Sequence, residues 1–178
     1  ALIQAHTPGE TKPIWITEIG WSTALDLTTE VEQAHYLVRS AALCLSVGVE
    51  KILWYDLLND GTAFFAREQN FGLLRRPDAR GYYTPKLAYT AYAVLIRALA
   101  DRAFIGREPT ASGIYHMRFS GHLHLLWATP QKQHYVLSAV SPVTMMTITG
   151  KKRTLPPEGG QIILDLTAEP VYLLGEVS

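Results

Sequence analysis

Glu18 ends a run of apolar and β-branched residues, "KPIWIT" from Lys12 to Thr17, and is followed at once by Ile19, Gly20 and Trp21. Ile14, Trp15, Ile16 and Thr17 suit a pleated, buried strand. The acid therefore arrives where taking a charge out of water costs most. A carboxylate in that position is either compensated by a structural partner or held there to do chemistry. A second strand-like run, "KILWYDLL" from Lys51 to Leu58, carries Trp54 and Asp56 and leads into Asn59 and Asp60. Alternation places Ile14, Ile16 and Glu18 on one face of the first run, and Ile52, Trp54 and Asp56 on one face of the second. If both faces line one cavity, Glu18 and Trp54 reach the same mouth.

Other reactive residue types point less sharply. His122 and His124 stand two apart on a predicted strand, as two metal ligands would, but no third ligand lies near and an exposed hairpin face accounts for them. Cys44 sits in mid-helix and reads as a small buried hydrophobe; being the single cysteine, it excludes an internal disulfide. Arg75 and Arg76 read as a solvated loop edge. Asp56 reads as a structural partner or a hydrogen bonder to the following loop. Asn59 and Asp60, followed by Gly61, have turn chemistry as their simplest explanation. The chain holds no G-x-S-x-G, no phosphate-cradling glycine loop and no zinc spacing.

The elements that must position these residues follow from periodicity. Lys12 to Gly20 is the first strand. "TTEVEQAHYLVRSAALCLSVGV" carries Val31, Ala34, Val38, Ala41 and Leu45 at helical spacing, with Thr29 and Glu32 as a capping box and Gly48 at its end. With "KILWYDLL" this makes a βαβ unit, hence parallel strands with a right-handed crossover. Neither strand alternates cleanly with polar residues, so both faces are expected to be covered. The long loop from 59 to 83, rich in Phe and Leu, reads as ordered. Thr84 and Pro85 then predict the N-cap and first turn of a helix whose apolar face is Leu87, Ala91, Val94 and Ala98. Beyond Gly106 the period shifts to two, with hairpin turns near Ser120-Gly121 and Pro130-Gln131, and short strands follow to the end.

Length and composition bound the whole. The 178 residues can bury one good core or two small ones, and a 48% hydrophobic, 18% charged composition is that of a globular protein. Sixteen basic residues against sixteen acidic give no electrostatic reason to bind nucleic acid or an anionic membrane. The longest apolar stretch, "SAALCLSVGV", falls short of the roughly 20 residues of a bilayer span. No signal peptide is legible, the cellular compartment is left open, and the opening "ALIQAH" reads as the tail of a helix with more chain before it. Two βα units cannot close a parallel sheet, whereas a complete (β/α)8 barrel takes about 250 residues. The expected architecture is therefore α/β plus all-β: residues 1–103 as the last two βα units of a (β/α)8 barrel, and 104–178 as a small antiparallel β-sandwich.

Here the pieces resemble a known family. "KPIWITEIGWST" is similar to the seventh-strand segment of clan A (β/α)8 retaining glycoside hydrolases, "ILWYDLLNDG" resembles their eighth strand, and "FGLL" followed by "YTPKLAYTAYAVL" resembles the entry into their last helix. A sandwich after that helix is similar to the β-xylosidase and α-L-iduronidase-like branch. The resemblance implies that Glu18 is the nucleophile and that Trp54 floors the sugar site, with Trp21, Asn59 and Asp60 at its rim. Such enzymes flank the anomeric carbon with two carboxyls about 5 Å apart, one attacking and one donating a proton. Two carboxyls suffice, so no metal or organic cofactor is expected. The family's acid/base glutamate ends strand four, which has no counterpart here. The resemblance thus implies a C-terminal fragment, inactive alone, whose partner is the missing barrel or a second copy of itself.

A non-catalytic reading competes: a carbohydrate-binding or structural module in which the βαβ piece braces the sandwich. It requires a line of exposed aromatics on the sandwich face, for which Trp127, Tyr115 and Tyr135 are the candidates.

Overall fold

The computed structural model describes residues 9, 10 and 12–178, so the helix-tail reading of "ALIQAH" lies outside it. Strand β1 (Ile14–Ile19) and strand β2 (Val49–Trp54) pair in parallel, joined by helix α1 (Glu30–Ser46), as the βαβ pattern requires. The capping box forms: the Glu32 amide donates to the Thr29 hydroxyl at 3.1 Å and the Thr29 amide donates to the Glu32 carboxylate at 2.8 Å. Such a cap stabilises a helix by about 1 kcal/mol. Gly48, at φ +83°, turns the chain out of the helix into β2. The buried stripe is Gln33, Ala34, Leu37, Val38 and Ala42; Val31, expected on it, is half exposed.

The 59–83 loop is ordered around a short 3-10 helix (Arg67–Asn70), strand β3 (Leu74–Arg75) and buried Phe71 and Leu73. Arg76 is exposed as expected, whereas Arg75 is only part-exposed and is engaged structurally. Its guanidinium spans both carboxylate oxygens of Glu30 and also donates to the Pro85 carbonyl at 3.2 Å, tying the loop to the start of α1. Thr84 and Pro85 are not a helix cap. They form strand β4 against β3, and helix α2 (Leu87–Leu99) starts after Lys86. Its buried face is Ala88, Ala91, Leu95 and Ala98, rotated slightly from the expected one. No helix among the described residues is long and apolar enough to cross a membrane.

Eight antiparallel strands follow: β5 (Phe104–Arg107), β6 (Ile114–Phe119), β7 (Leu123–Ala128), β8 (Gln133–Ser138), β9 (Val143–Thr147), β10 (Lys152–Leu155), β11 (Gln161–Leu166) and β12 (Val171–Leu174). Six make one sheet in the order β10-β9-β12-β7-β6-β5, and β8 pairs only with β11. Ser120 and Gly121 sit in the β6–β7 turn as expected. Pro130-Gln131 does not close a hairpin, because β7 lies in the six-stranded sheet and β8 in the other. The physical reason is β7 itself: all six of its residues are buried, so both its faces are covered and its edges are taken by β6 and β12.

The elements stack in four layers. Trp54 of the parallel pair packs against the core that includes Leu37, Ala42 and Leu95 of the helices, and Ile52 faces the same side. The helices' other side shares a core with Met117, Phe119, Leu125, Trp127 and Tyr172 of the six-stranded sheet. That sheet's far face packs Ile114, Leu126 and Leu173 on Leu137, Ile162 and Leu164 of the β8–β11 pair. Trp127 is 1% exposed and lies flat on Tyr115, centroids 4.7 Å apart. Side chains of this size each stabilise the fold by about 1.5–3 kcal/mol on burial.

Candidate active site

The site residues converge at the carboxyl ends of β1 and β2. Two backbone features bring those ends together. The Tyr55 amide donates to the Ile19 carbonyl at 2.9 Å, extending the pairing past Trp54. Gly20 lets the next turn approach closely, because a Cβ there would stand 1.9 Å from the Tyr55 carbonyl oxygen. Only glycine fits that contact.

The register decides which side chains share a face. Ile16 is opposite Ile52 and Ile19 opposite Trp54, so three steps along β1 match two along β2. One extra residue is accommodated between Ile16 and Ile19, the signature of a bulge. The expected common face of Glu18 and Trp54 therefore does not form. Trp54 continues the Ile52 side and packs against the helices, its indole Nε1 buried without a partner. Trp21 lies on that side too, with ring centroids 5.8 Å from Trp54 and 5.3 Å from Tyr36. Trp15 and Leu53 are half exposed on the opposite face, where the Lys51 ammonium stands 4.0 Å over the Trp15 ring. Burial on both faces of the two strands, expected from their composition, is thus not observed.

Glu18 is exposed, and among the described residues it makes no ion pair. Its charge is felt, weakly, by the Tyr55 phenol. The phenol is pushed above its ordinary value by the Asp60 carboxylate first, then by partial burial, Asp56, Glu68 and Glu18. The Tyr55 hydroxyl stands 3.5 Å from Asp60 Oδ2, and its ring meets Phe71 edge-on at 5.4 Å. Asp60, with smaller contributions from Asp56, Glu68 and Glu18, thus makes the field at the phenol negative, which favours developing positive charge nearby. Asp56 is attracted by the Lys86 and Arg76 cations, in line with a structural role. Burial, reinforced by Asp60, raises its carboxyl, and its Oδ1 is buried with no hydrogen-bond partner.

Asn59 and Asp60 part ways. Asp60 is exposed at the rim, whereas Asn59 is buried and belongs to an interior polar network. At its centre is Lys86, 2% exposed, whose Nζ donates at 2.9 Å to Thr23 Oγ1, Asn59 Oδ1 and the Asn70 carbonyl. Burial lowers its pKa to about 8, against the attraction of Glu30 and Asp56. Gln33, fully buried, donates to the carbonyls of Trp21 (2.8 Å) and Phe71 (3.0 Å). These two residues clamp the loops after β1 and β2, and so hold Glu18 and Tyr55 in place. Neither stands out in the sequence, because their partners are loop carbonyls and amides that only the fold brings near.

The histidines separate as well. His122 is an exposed turn residue 3.7 Å from Glu176, while His124 is buried with its Nδ1 2.8 Å from His116 Nε2. His116 Nδ1 in turn lies 3.0 Å from the Tyr135 hydroxyl. Among the described residues no three His, Cys, Asp or Glu side chains are grouped to hold a metal ion. The aromatics of the binding-module reading are committed elsewhere: Trp127 is buried, Tyr135 is tied to His116, and Tyr115 lies between Trp127 and the Arg107 guanidinium. Cys44 is free and half-buried in α1, its thiol raised by burial.

No family model matches the sequence, and no curated protein does. Among solved structures, a family 39 glycoside hydrolase from the gut symbiont Bacteroides cellulosilyticus WH2 superposes with a TM-score of 0.81 at 26% identity. The match covers 96% of this chain and 35% of that one, so the chain spans about a third of the hydrolase's length. SrfJ from Salmonella typhimurium is 10% identical and superposes with a TM-score of 0.47 over 98% of this chain and 37% of that one, too remote to bear on function. The chain is similar, along nearly its whole length, to part of a glycoside hydrolase.

Proposed function

We propose that this chain is the C-terminal part of a retaining glycoside hydrolase of the clan A (β/α)8 type, acting on O-glycosidic bonds by double displacement. Residues 1–103 contribute the last two βα units of the barrel, and residues 104–178 an accessory β-sandwich. Glu18 is the nucleophile. The observation that carries this reading is an unpaired, exposed carboxylate at the carboxyl end of a parallel strand, in a chain whose fold matches part of a glycoside hydrolase. Catalytic groups of (β/α)8 enzymes sit at that end of the strands.

In the proposed reaction the Glu18 carboxylate attacks the anomeric carbon while an acid on the remainder of the barrel protonates the leaving oxygen. Water then hydrolyses the glycosyl ester, with that second group acting as base. The acidic field of Asp56, Asp60 and Glu68 around Tyr55 stabilises the oxocarbenium-like charge. Tyr55, rather than Trp54, is the aromatic on the nucleophile's side and takes the place of the sugar floor. Asp60 lies at the rim; Asn59 and Trp21 support the site from behind. The chain alone lacks the acid/base group and is inactive. Its partners are a carbohydrate substrate and the remainder of the barrel, or in its absence another copy of the chain.

The test is Glu18→Gln in a protein carrying this chain together with that remainder. Loss of the nucleophile lowers kcat on the order of 10⁴-fold or more, with folding unchanged. A variant retaining a substantial share of wild-type kcat removes Glu18 from the mechanism.

A further inference from the structure

A separate cavity of about 340 Å³ lies between α2 and the six-stranded sheet. Its apolar wall is Val94, Leu123 and Met146, and its rim carries three cations: Arg97 from α2, Arg102 just beyond it, and Lys152 from β10. No carboxylate lines it, and among the described residues none of the three cations is in an ion pair. In a chain whose formal charges cancel, this is a local concentration of one sign.

Two buried polar atoms in the same wall lack hydrogen-bond partners among the described residues. One is the hydroxyl of Tyr172, a residue only 1% exposed; the other is Arg102 Nε. The Arg102 side chain is held by a 2.8 Å bond from its Nη1 to the Ala98 carbonyl, which fixes the guanidinium at the cavity. Buried donors without acceptors are uncommon in native proteins and ask for a ligand or water. Like charges around one opening repel, and an anion between them offsets that repulsion. The apolar wall disfavours a fully hydrated inorganic ion, and a volume of a few hundred Å³ is that of a small-molecule pocket.

We propose that this cavity binds a small organic carboxylate: the anion pairs with the arginines and Lys152, and a ring or short alkyl body rests on Val94, Leu123 and Met146. A planar guanidinium suits a carboxylate because it can donate two parallel hydrogen bonds. This proposal does not depend on the glycosidase reading, since it uses none of the residues near Glu18.

Isothermal titration calorimetry of the chain with 4-methylbenzoate tests it, with glucuronate in a parallel titration to separate aryl acids from sugar acids as the source of the carboxylate. At least one acid binds saturably, and 4-methylbenzamide, a neutral isostere, binds about tenfold or more weakly than the benzoate if the aryl acid is the ligand. The double variant Arg97→Gln/Lys152→Gln, whose folding is checked by circular dichroism, weakens binding about tenfold. Both positions are exposed, and the single Arg97→Gln serves if the double variant is unstable. Absence of binding by both acids overturns the proposal, as does undiminished binding in the charge variants or equal affinity for the amide.

Discussion

Lys86 has three neutral acceptors and almost no contact with water, so its loss strands all three at once. Lys86→Met keeps the apolar stem and removes the donors, and destabilises by about 2–4 kcal/mol in urea melts. The same comparison has a pH signature. The folded-state pKa of about 8 lies below the ordinary 10.5, so between these values the unfolded chain holds a proton that the folded chain has released. Stability from this group therefore rises as pH climbs from about 8 towards 10.5, and the wild type gains on Lys86→Met over that window. A gap that stays flat there would mean the ammonium is not desolvated. This clamp was illegible in the sequence, where Lys86 is one lysine before a helix. Glu18 was legible, because an acid closing an apolar run is anomalous by itself. The bulge that takes it off the Trp54 face was not, since alternation assumes an unbroken pleat.

Among the elements, the two packed sheets share a relay of neutral groups: the Tyr135 hydroxyl of β8 and His116 and His124 of the six-stranded sheet, linked at 3.0 and 2.8 Å. Burial, then His124 and Arg118, holds His116 down to about 4, and burial lowers His124 too. The unfolded chain takes up a proton near pH 6.5, before the folded one does, so stability contributed by this site is present above about 6.5 and is lost as pH falls towards 4. Urea melts between pH 7 and pH 4.5 are expected to show this loss, and His116→Gln, which can still bridge its neighbours, to show a shallower one. Parallel slopes would remove His116 as the cause. Local signals wrote much of the element map: the capping box, the glycine after α1 and the parallel pair with its crossover all form as their residues dictate. Where a tertiary partner decided, local reading failed. Thr84 and Pro85 look like a helix start but pair with Leu74 and Arg75, and the turn-like Pro130 carries the chain between sheets because β7 already has both neighbours.

For the whole molecule, the sheet–helix–sheet–sheet stack packs the helices between two sheets and leaves the outer face of the parallel pair uncovered among the described residues. Trp15 and Leu53 on the parallel pair, with Leu57, Phe64 and Phe65 beyond it, are each about half exposed or more. Exposed apolar residues and strand edges of this kind invite association. Sedimentation velocity of the isolated chain is therefore expected to show species heavier than a monomer, and Trp15→Lys/Leu53→Lys to shift them towards monomer; a wild type that stays monomeric at all concentrations would count against a surface built to be covered. The central claim, that Glu18 forms the glycosyl–enzyme bond, is tested most directly by a mechanism-based glycosyl label on a protein carrying this chain and the rest of the proposed barrel, followed by peptide mass spectrometry. The label is expected on Glu18, in the peptide around "ITEIGW", and is absent in Glu18→Gln; inactivation with the label on any other residue rules Glu18 out as the nucleophile.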